Sequence, residues 1–433
     1  METEMESHKR RRTVEGEIEE ERFLFLGSEF NLFCIDLKKT EEKYGGKCSE
    51  LSYDPPLVEV AWSTNIHATS NVLPLGMAST RFNFKTASSP SSRVLLPCST
   101  TSDSNLLLIG GELQDPSAPY CSTHASREVY KLIPEVSGPN GDIKDIRIEL
   151  ADATIPRMKS GKACPIVEEI GGNLYVLHSR FVHRGFYAQS EIPFEVFDSK
   201  IGEWRTLPVP PFFAAGLGIV IYAHAVFGHC FAIETSKECF CFDTIKEEWY
   251  CSDNMTSHLI NILPMTIPLG LPCFGLDEHG RQLYVGISLL IEPCAYLATP
   301  DGTIYARQSL YHVIFKDILP YPYPPMLRNV LIPLKSVQEN VIRMCACSIV
   351  SHNACSSVSH NDFPVCYVLL VSFFSAKISP SSQQLIYKMI SGELTDIHDH
   401  PAYSTFLDVF VERKFFLRVP HLGHFFNGPA LLL

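Results

Sequence analysis

FEVFDSKIGEWRTLP, residues Phe194 to Pro208, alternates apolar and polar residues, reaches an aspartate, turns, and resumes with Trp and Leu-Pro. The chain repeats this order in CFCFDTIKEEWYCSD, residues Cys239 to Asp253. Phe197-Asp198 becomes Phe242-Asp243 and Trp204 becomes Trp249, an offset of 45 in both cases (242 − 197 and 249 − 204). Two copies of one strand–turn–strand order at a fixed spacing point to a repeated supersecondary unit.

Each part of the unit has a physical role. GGNLYVLHSRF (Gly171 to Phe181) supplies an apolar strand, FEVFD a third strand, SKIGE a hairpin turn and WRTLP a fourth strand. Phe197, Phe242, Trp204 and Trp249 are large aromatics able to fill the wedge between neighbouring units. Asp198 and Asp243 end a strand and can bond the turn backbone. Leu207-Pro208 cannot continue a central ladder, so the chain leaves there for the next unit. A period of about 40–50 residues that holds several strands is the spacing of a propeller blade.

The rest of the chain has the same texture. Helical periodicity is scarce, and short apolar or alternating runs bounded by turn residues recur, as antiparallel β structure requires. Such runs include Arg22 to Gly27, Asn31 to Leu37, Asn105 to Leu113, His224 to Glu234, Arg281 to Ser288 and Phe406 to Pro420. EVYKL (Glu128 to Leu132) and LIYKM (Leu385 to Met389) look like weakened third strands. The 30 prolines and 25 glycines are spread along the chain, which suits many short elements.

These residues carry a family resemblance. The double glycine Gly110-Gly111 after the strand of LLLIGGEL, the strand LYVLHS (Leu174 to Ser179), and the paired FEVFD…W…LPVPP and CFCFD…W resemble the kelch β-propeller group. Within that group they are similar to plant proteins related to F-box/kelch proteins. The resemblance covers about residues 105–255 and weakens elsewhere. One repeat keeps Gly-Gly after its strand, the best repeat has His178-Ser179 there, and Trp marks two repeats. It implies an all-β, kelch-like propeller with degenerate repeats over residues 23–433, following a charged tail at 1–22. Spacing allows six to eight blades, and six is the expectation. No F-box-like helical pattern precedes the repeats. A large β-sandwich, or two β domains, is the competing fold.

Bulk properties narrow the function. The chain has 433 residues, 45 % apolar, and a net charge of −12, which disfavours a broad nucleic-acid face. The basic run His8 to Arg12 is answered at once by Glu15 to Arg22, and reads as a solvated tail or a weak nuclear-import signal. No stretch has the length of a membrane span; the apolar run Pro364 to Phe374 is too short. The expected location is the cytoplasm, with the nucleus as the alternative. The 15 cysteines include no Cys-x-x-Cys and several sit in strand-like runs, so buried reduced thiols are expected.

Candidate chemistry is sparse. DIHDHP (Asp396 to Pro401) and HLGH (His421 to His424) hold ligand-type residues, yet neither has a zinc spacing, and a polar surface turn explains the first. There is no G-x-S-x-G nucleophile elbow and no Gly-rich phosphate loop. LPYPYPPM (Leu319 to Met326) favours polyproline II and reads as an ordered connection rather than a ligand for a proline-reading module. No catalytic residue, cofactor or metal site is expected. The expected function is a monomeric protein-interaction module that binds neither nucleic acid nor membrane. Loops on a rigid scaffold would do the binding. The loops Gln114 to Arg127 and Arg180 to Pro193 carry Tyr120, His183, Arg184 and Tyr187, residue types that anchor interfaces. The alternatives are a substrate adaptor for ubiquitin ligation acting through a separate subunit, and an enzyme with a pocket on the propeller axis.

Overall fold

The computed structural model describes residues 22–27, 31–45, 62–65, 74, 77–82, 105–114, 123–137, 142–151, 154–179, 191–214, 221–227, 229–235, 238–251, 266–269, 284–288, 294–298, 304–310, 326–334, 341–351, 367–379, 406–418 and 430–432. Among these residues, strands form six four-stranded sheets and one two-stranded ribbon. The first sheet holds β1 (Phe23–Gly27), β2 (Asn31–Asp36) and β3 (Trp62–Asn65). The second holds β4 (Ala78–Phe82), β5 (Asn105–Ile109), β8 (Val129–Ser137) and β9 (Asp142–Leu150), with the ribbon β6 (Glu112–Gln114) and β7 (Thr123–Ala125) between β5 and β8. The third is β10 (Ile166–Ile170), β11 (Asn173–Leu177), β12 (Phe194–Asp198) and β13 (Glu203–Thr206).

The fourth sheet is β14 (Ile221–Phe227), β15 (Cys230–Thr235), β16 (Cys239–Asp243) and β17 (Glu248–Cys251). The fifth is β18 (Thr266–Leu269), β19 (Tyr284–Ser288), β20 (Cys294–Ala298) and β21 (Ile304–Ser309). The sixth is β22 (Met326–Leu334), β23 (Val341–Ser351), β24 (Tyr367–Ile378) and β25 (Leu407–Arg418). The last strand, β26 (Ala430–Leu432), returns to the first sheet and pairs with β1, Leu24 opposite Leu432 and Leu26 opposite Ala430. Among the described residues two helices interrupt the strands: α1 (Leu37–Tyr44), capped by Asp36, and the single turn α2 (Pro211–Ala214).

Every sheet is an antiparallel meander, and the innermost strands line up. β4 lies beside β10, β10 beside β14, β14 beside β18, β22 beside β26, and β26 beside β4. Sheets radiating from a bundle of inner strands are β-propeller architecture. The apolar cores confirm which sheets face each other. A strand sends alternate side chains to opposite faces. In β1, Leu24 and Leu26 join a core with Cys345, Leu369 and Phe373 of the sixth sheet. Phe23 and Phe25 join one with Leu106 and Leu132 of the second. In β5, Leu107 and Ile109 pack with Leu174, Val176 and Phe197 of the third sheet. In β11, Tyr175 and Leu177 pack with Phe231 and Phe242 of the fourth. The central strands β1, β5 and β11 are therefore buried on both faces, which is why they read as continuous apolar runs. Each fully buried Leu or Phe contributes roughly 1.5–3 kcal/mol of transfer free energy.

The register explains the 45-residue offset. Phe197 pairs with Trp204 and Phe242 with Trp249, with ring centroids 5.4 and 5.1 Å apart. Asp198 Oδ1 accepts the Lys200 N–H, and Asp243 Oδ1 accepts those of Ile245 and Lys246. The repeat extends further than two units. Asp36 also ends a third strand, and its carboxylate accepts the Lys39 N–H. All three tryptophans lie on fourth strands, Trp62 opposite Cys34. The first unit is hidden in the sequence because α1 and further chain separate its third and fourth strands.

Other expectations are adjusted. His224 to Glu234 is a hairpin, since β14 ends at Phe227 and β15 begins at Cys230. β10 was not legible because Glu168 and Glu169 interrupt its apolar run. Glu128 to Leu132 falls at β8, a third strand. Leu385 to Met389 lies outside the described residues, and the third strand of the sixth sheet is the earlier β24. The described cysteines are free thiols, and Cys34, Cys230, Cys241, Cys345 and Cys347 are buried. Among the described residues no helix is long and apolar enough to cross a membrane.

Candidate partner-binding face

In an antiparallel meander, the connection from second to third strand leaves from the same end as the connection from the fourth strand to the next sheet. One main-chain bond recurs at this end. Gly110 donates to the Glu128 carbonyl (3.0 Å), His178 to Pro193 (2.8 Å) and Thr235 to Glu238 (3.0 Å). Gly110 and His178 thus hold the same place in consecutive sheets. The described ends of the two segments singled out in the sequence, Gln114 to Arg127 and Arg180 to Pro193, lie at this end of the second and third sheets. Tyr120, His183, Arg184 and Tyr187 themselves lie outside the described residues.

The same face carries the segments that link the sheets. Ile155 to Ser160 enters the third sheet and Leu207 to Phe212 enters the fourth. Each is latched by the tryptophan of the sheet it enters: Trp204 Nε1 donates to the Pro156 carbonyl (2.6 Å) and Trp249 Nε1 to the Pro208 carbonyl (2.9 Å). Their burial matches residue for residue. Ile155, Met158 and Ser160 are buried, as are Leu207, Pro210 and Phe212. Pro156, Arg157 and Lys159 are exposed, as are Pro208, Val209 and Pro211. The Ile-Pro and Leu-Pro pairs were the sequence signal for this second repeat.

The first connector rests on a buried polar clamp. Lys162 and Glu195 are both fully buried and form an ion pair, and Lys162 Nζ also donates to the Ser160 carbonyl (2.8 Å). The Glu195 carboxylate accepts two further N–H groups, from Lys159 (2.8 Å) and Ser160 (3.0 Å). Burial lowers the Lys162 pKa from the usual lysine value, and the Glu195 charge opposes that shift. A buried pair is tolerable only when such additional bonds satisfy both charges. Main-chain bonds complete the clamp: Gly111 to Lys162 carbonyl, Lys162 to Ser126 carbonyl, and Met158 to Arg127 carbonyl. Gly110 (φ +67°) must be glycine, because a Cβ there would lie 2.7 Å from the Lys162 carbonyl oxygen.

His178, the residue in the Gly110 place of the third sheet, sits between Ala163, which follows the first connector, and Phe213, which follows the second. Its Nδ1 accepts the Ala163 N–H (2.9 Å), so that nitrogen is unprotonated, and its ring meets Phe213 edge-on at 6.0 Å. Ser179 Oγ donates to the Cys164 carbonyl, and Cys164 Sγ lies 3.7 Å from the buried Glu112 carboxylate. Cys164 takes a left-handed backbone (φ +45°), a conformation with a steric penalty for a non-glycine residue. The clamp is therefore a rigid floor of satisfied groups, with Arg157, Lys159 and Val209 standing on it.

On the inner strands, His224 Nε2 sits 3.0 Å from Glu168 Oε1, bridging β14 and β10. Glu169 points to the other side of β10, and burial raises its pKa to about 7. Its Oε2 is buried with no hydrogen-bond partner among the described residues. Among the described residues, no group of three or more His, Cys, Asp or Glu is placed to hold a metal ion. DIHDHP and HLGH lie outside the described residues.

The fold and this face define a β-propeller-like, all-β protein with a built surface at one end. The chain belongs to the family described as "Protein of unknown function (DUF1668)", whose model matches residues 28–256, just over half of the chain. No curated protein matches. Among solved structures, it is similar to YjhT (9 % identity, 83 % of this chain and 95 % of that one, TM-score 0.33). It is also similar to the WD40 domain of SCAP from fission yeast (8 %, 82 % and 69 %, 0.29) and to apo AztD from Citrobacter koseri (10 %, 95 % and 97 %, 0.28).

Proposed function

We propose that the protein is a non-catalytic interaction module: a six-bladed, kelch-like propeller that binds a protein partner through its connector face. Bringing β18 and β22 side by side would complete the ring of inner strands, and β26 would then hold the first blade shut. What supports the binding reading is the contrast within the connectors. Their main chains are pinned by Trp204, Trp249 and Glu195, while their outward side chains differ in chemistry at matching positions. Rigid presentation lowers the ordering cost of association. The neighbouring loop 180–193 would extend the surface with His183, Arg184 and Tyr187. A cytoplasmic or nuclear monomer that acts on neither nucleic acid nor membrane fits the acidic net charge.

Affinity capture with the tagged protein tests this, using a variant whose 180–193 loop is swapped for a Gly/Ser segment of equal length. A protein partner retained by the parent and lost by the folded variant supports the module. Retention of every partner by the variant counts against it. Recovery of ubiquitin-ligase subunits with the parent would turn the module into a substrate adaptor.

A further inference from the structure

The partner's chemistry can be taken further, on the footing of the interaction-module reading. Arg157 and Lys159 are exposed on the first connector, and Arg157 keeps about half of its side-chain surface in solvent while meeting Glu128 at 3.2 Å. Exposed Arg127 is tied to them through the bond from Met158 N–H to the Arg127 carbonyl (3.1 Å). Neither Arg127 nor Lys159 has an ion pair among the described residues. Three cations thus share one rigid patch on a chain whose net charge is −12.

Next to this patch the chemistry changes. The second connector places Val209, 52 % exposed, where the first places Arg157, and Pro208 and Pro211 flank it. Lys159 N–H bonds the Glu195 carboxylate and Leu207 N–H bonds the adjacent Phe194 carbonyl, so the two connectors meet at β12 and the cationic and apolar strips are neighbours. Facing sheets stand about 10 Å apart, a distance that about three residues of extended chain cover.

We propose that this face docks an extended protein segment with an acidic side chain at the Arg127, Arg157 and Lys159 patch and an apolar one at Val209. Arginine pairs with carboxylates in a bidentate geometry, which gives the acidic position direction as well as charge. Val209 with its flanking prolines offers a stiff apolar shelf that loses little entropy on contact. Nucleic acid is disfavoured, since three cations beside Glu128 and an apolar strip neutralise too few phosphates.

The test is a random twelve-residue phage-displayed library panned on the full-length protein, with selected peptides then measured on parent, R157A/K159A and V209D proteins. Expected are sequences with Asp or Glu about three residues from Leu, Ile, Val or Phe. Their affinity should fall about tenfold or more on R157A/K159A, fall on V209D, and weaken in high salt. V209D should melt within about 1 °C of the parent, because Val209 is exposed; R157A/K159A takes the ion-pair partner from the buried Glu128 Oε2 and should melt somewhat lower while remaining folded. Selection of peptides without acidic residues, indifference to R157A/K159A, or no selection at all overturns the proposal. So does tighter binding of poly-uridylate than of any acidic peptide, with loss on R157A/K159A. Peptides that bind parent and R157A/K159A alike but fail on the 180–193 swap would overturn this surface and leave the interaction module standing.

Discussion

The indole N–H of Trp204 lies 2.6 Å from the carbonyl oxygen of Pro156, 48 residues earlier in the chain. The bond joins the fourth strand of a sheet to the segment by which the chain enters that sheet. Trp249 repeats it with Pro208. In these two units one aromatic residue serves two ends: it packs on the third-strand Phe in the wedge and fixes the connector on the face.

Trp204→Phe keeps an aromatic ring and deletes the donor. The Pro156 carbonyl loses its partner in a partly buried site. The expected loss is about 1–2 kcal/mol, from the missing bond and the smaller ring together. Trp249→Phe should cost less, under about 1 kcal/mol, because its bond is exposed to water. Urea denaturation of both variants measures the difference.

Lys162→Met leaves the Glu195 carboxylate buried with two N–H donors and no cation. Breaking one side of such a pair costs about 3–5 kcal/mol. Adding Glu195→Gln removes the stranded charge and keeps an acceptor for the Lys159 or Ser160 N–H. The double variant should therefore be more stable than Lys162→Met alone, by a kilocalorie or more on the order of a buried charge's relief. A double-mutant cycle in urea checks the sign.

Glu169 gives a pH signature. Its pKa is about 7 in the fold against 4.5 as the reference. A raised folded-state value means that its contribution is fully present below about pH 4.5, declines as the unfolded chain ionises, and is lost as pH rises through about 7. Glu169→Gln does not titrate. It should match the parent near pH 4.5 and exceed it increasingly up to pH 7, by at most about 3 kcal/mol. Urea midpoints of both proteins at pH 4.5, 6 and 8 measure this; a gap that does not change with pH would refute it.

Gly161 passes close to β7, where a Cβ would lie 2.1 Å from the Ala125 carbonyl oxygen. Main chain stands on both sides of that contact, so neither partner can swing aside. Gly161→Ala should cost about 2–3 kcal/mol, the upper range for overpacking, and lower the melting temperature accordingly.

Much of the scaffold was legible where local rules act alone. The Phe-Asp-turn-Trp order fixed two third and fourth strands because the pairing partners are only a few residues apart. Legibility failed where a partner is distant or the pattern is interrupted. Trp62 is separated from Asp36 by α1 and further chain, so its place on a fourth strand cannot be seen from spacing. β26 carries only three residues, and its place in the first sheet depends on a partner at the other end of the chain. β10 was lost because its two glutamates break the apolar run. The face was half legible: the loops at 114–127 and 180–193 could be named from length and composition. The connector repeat left only its Ile-Pro and Leu-Pro pairs as a signal, because Arg157 and Lys159 stand where Val209 and Pro211 stand, and burial reveals the rest of the match.

The most direct measurement pairs melting with partner capture for the parent and R157A/V209A, which alters one outward position on each connector. The expected result is a folded variant, with at most a small fall in melting temperature from the lost Arg157–Glu128 pair, and loss of the parent's protein partners. Full retention of those partners by a variant that melts like the parent would contradict it.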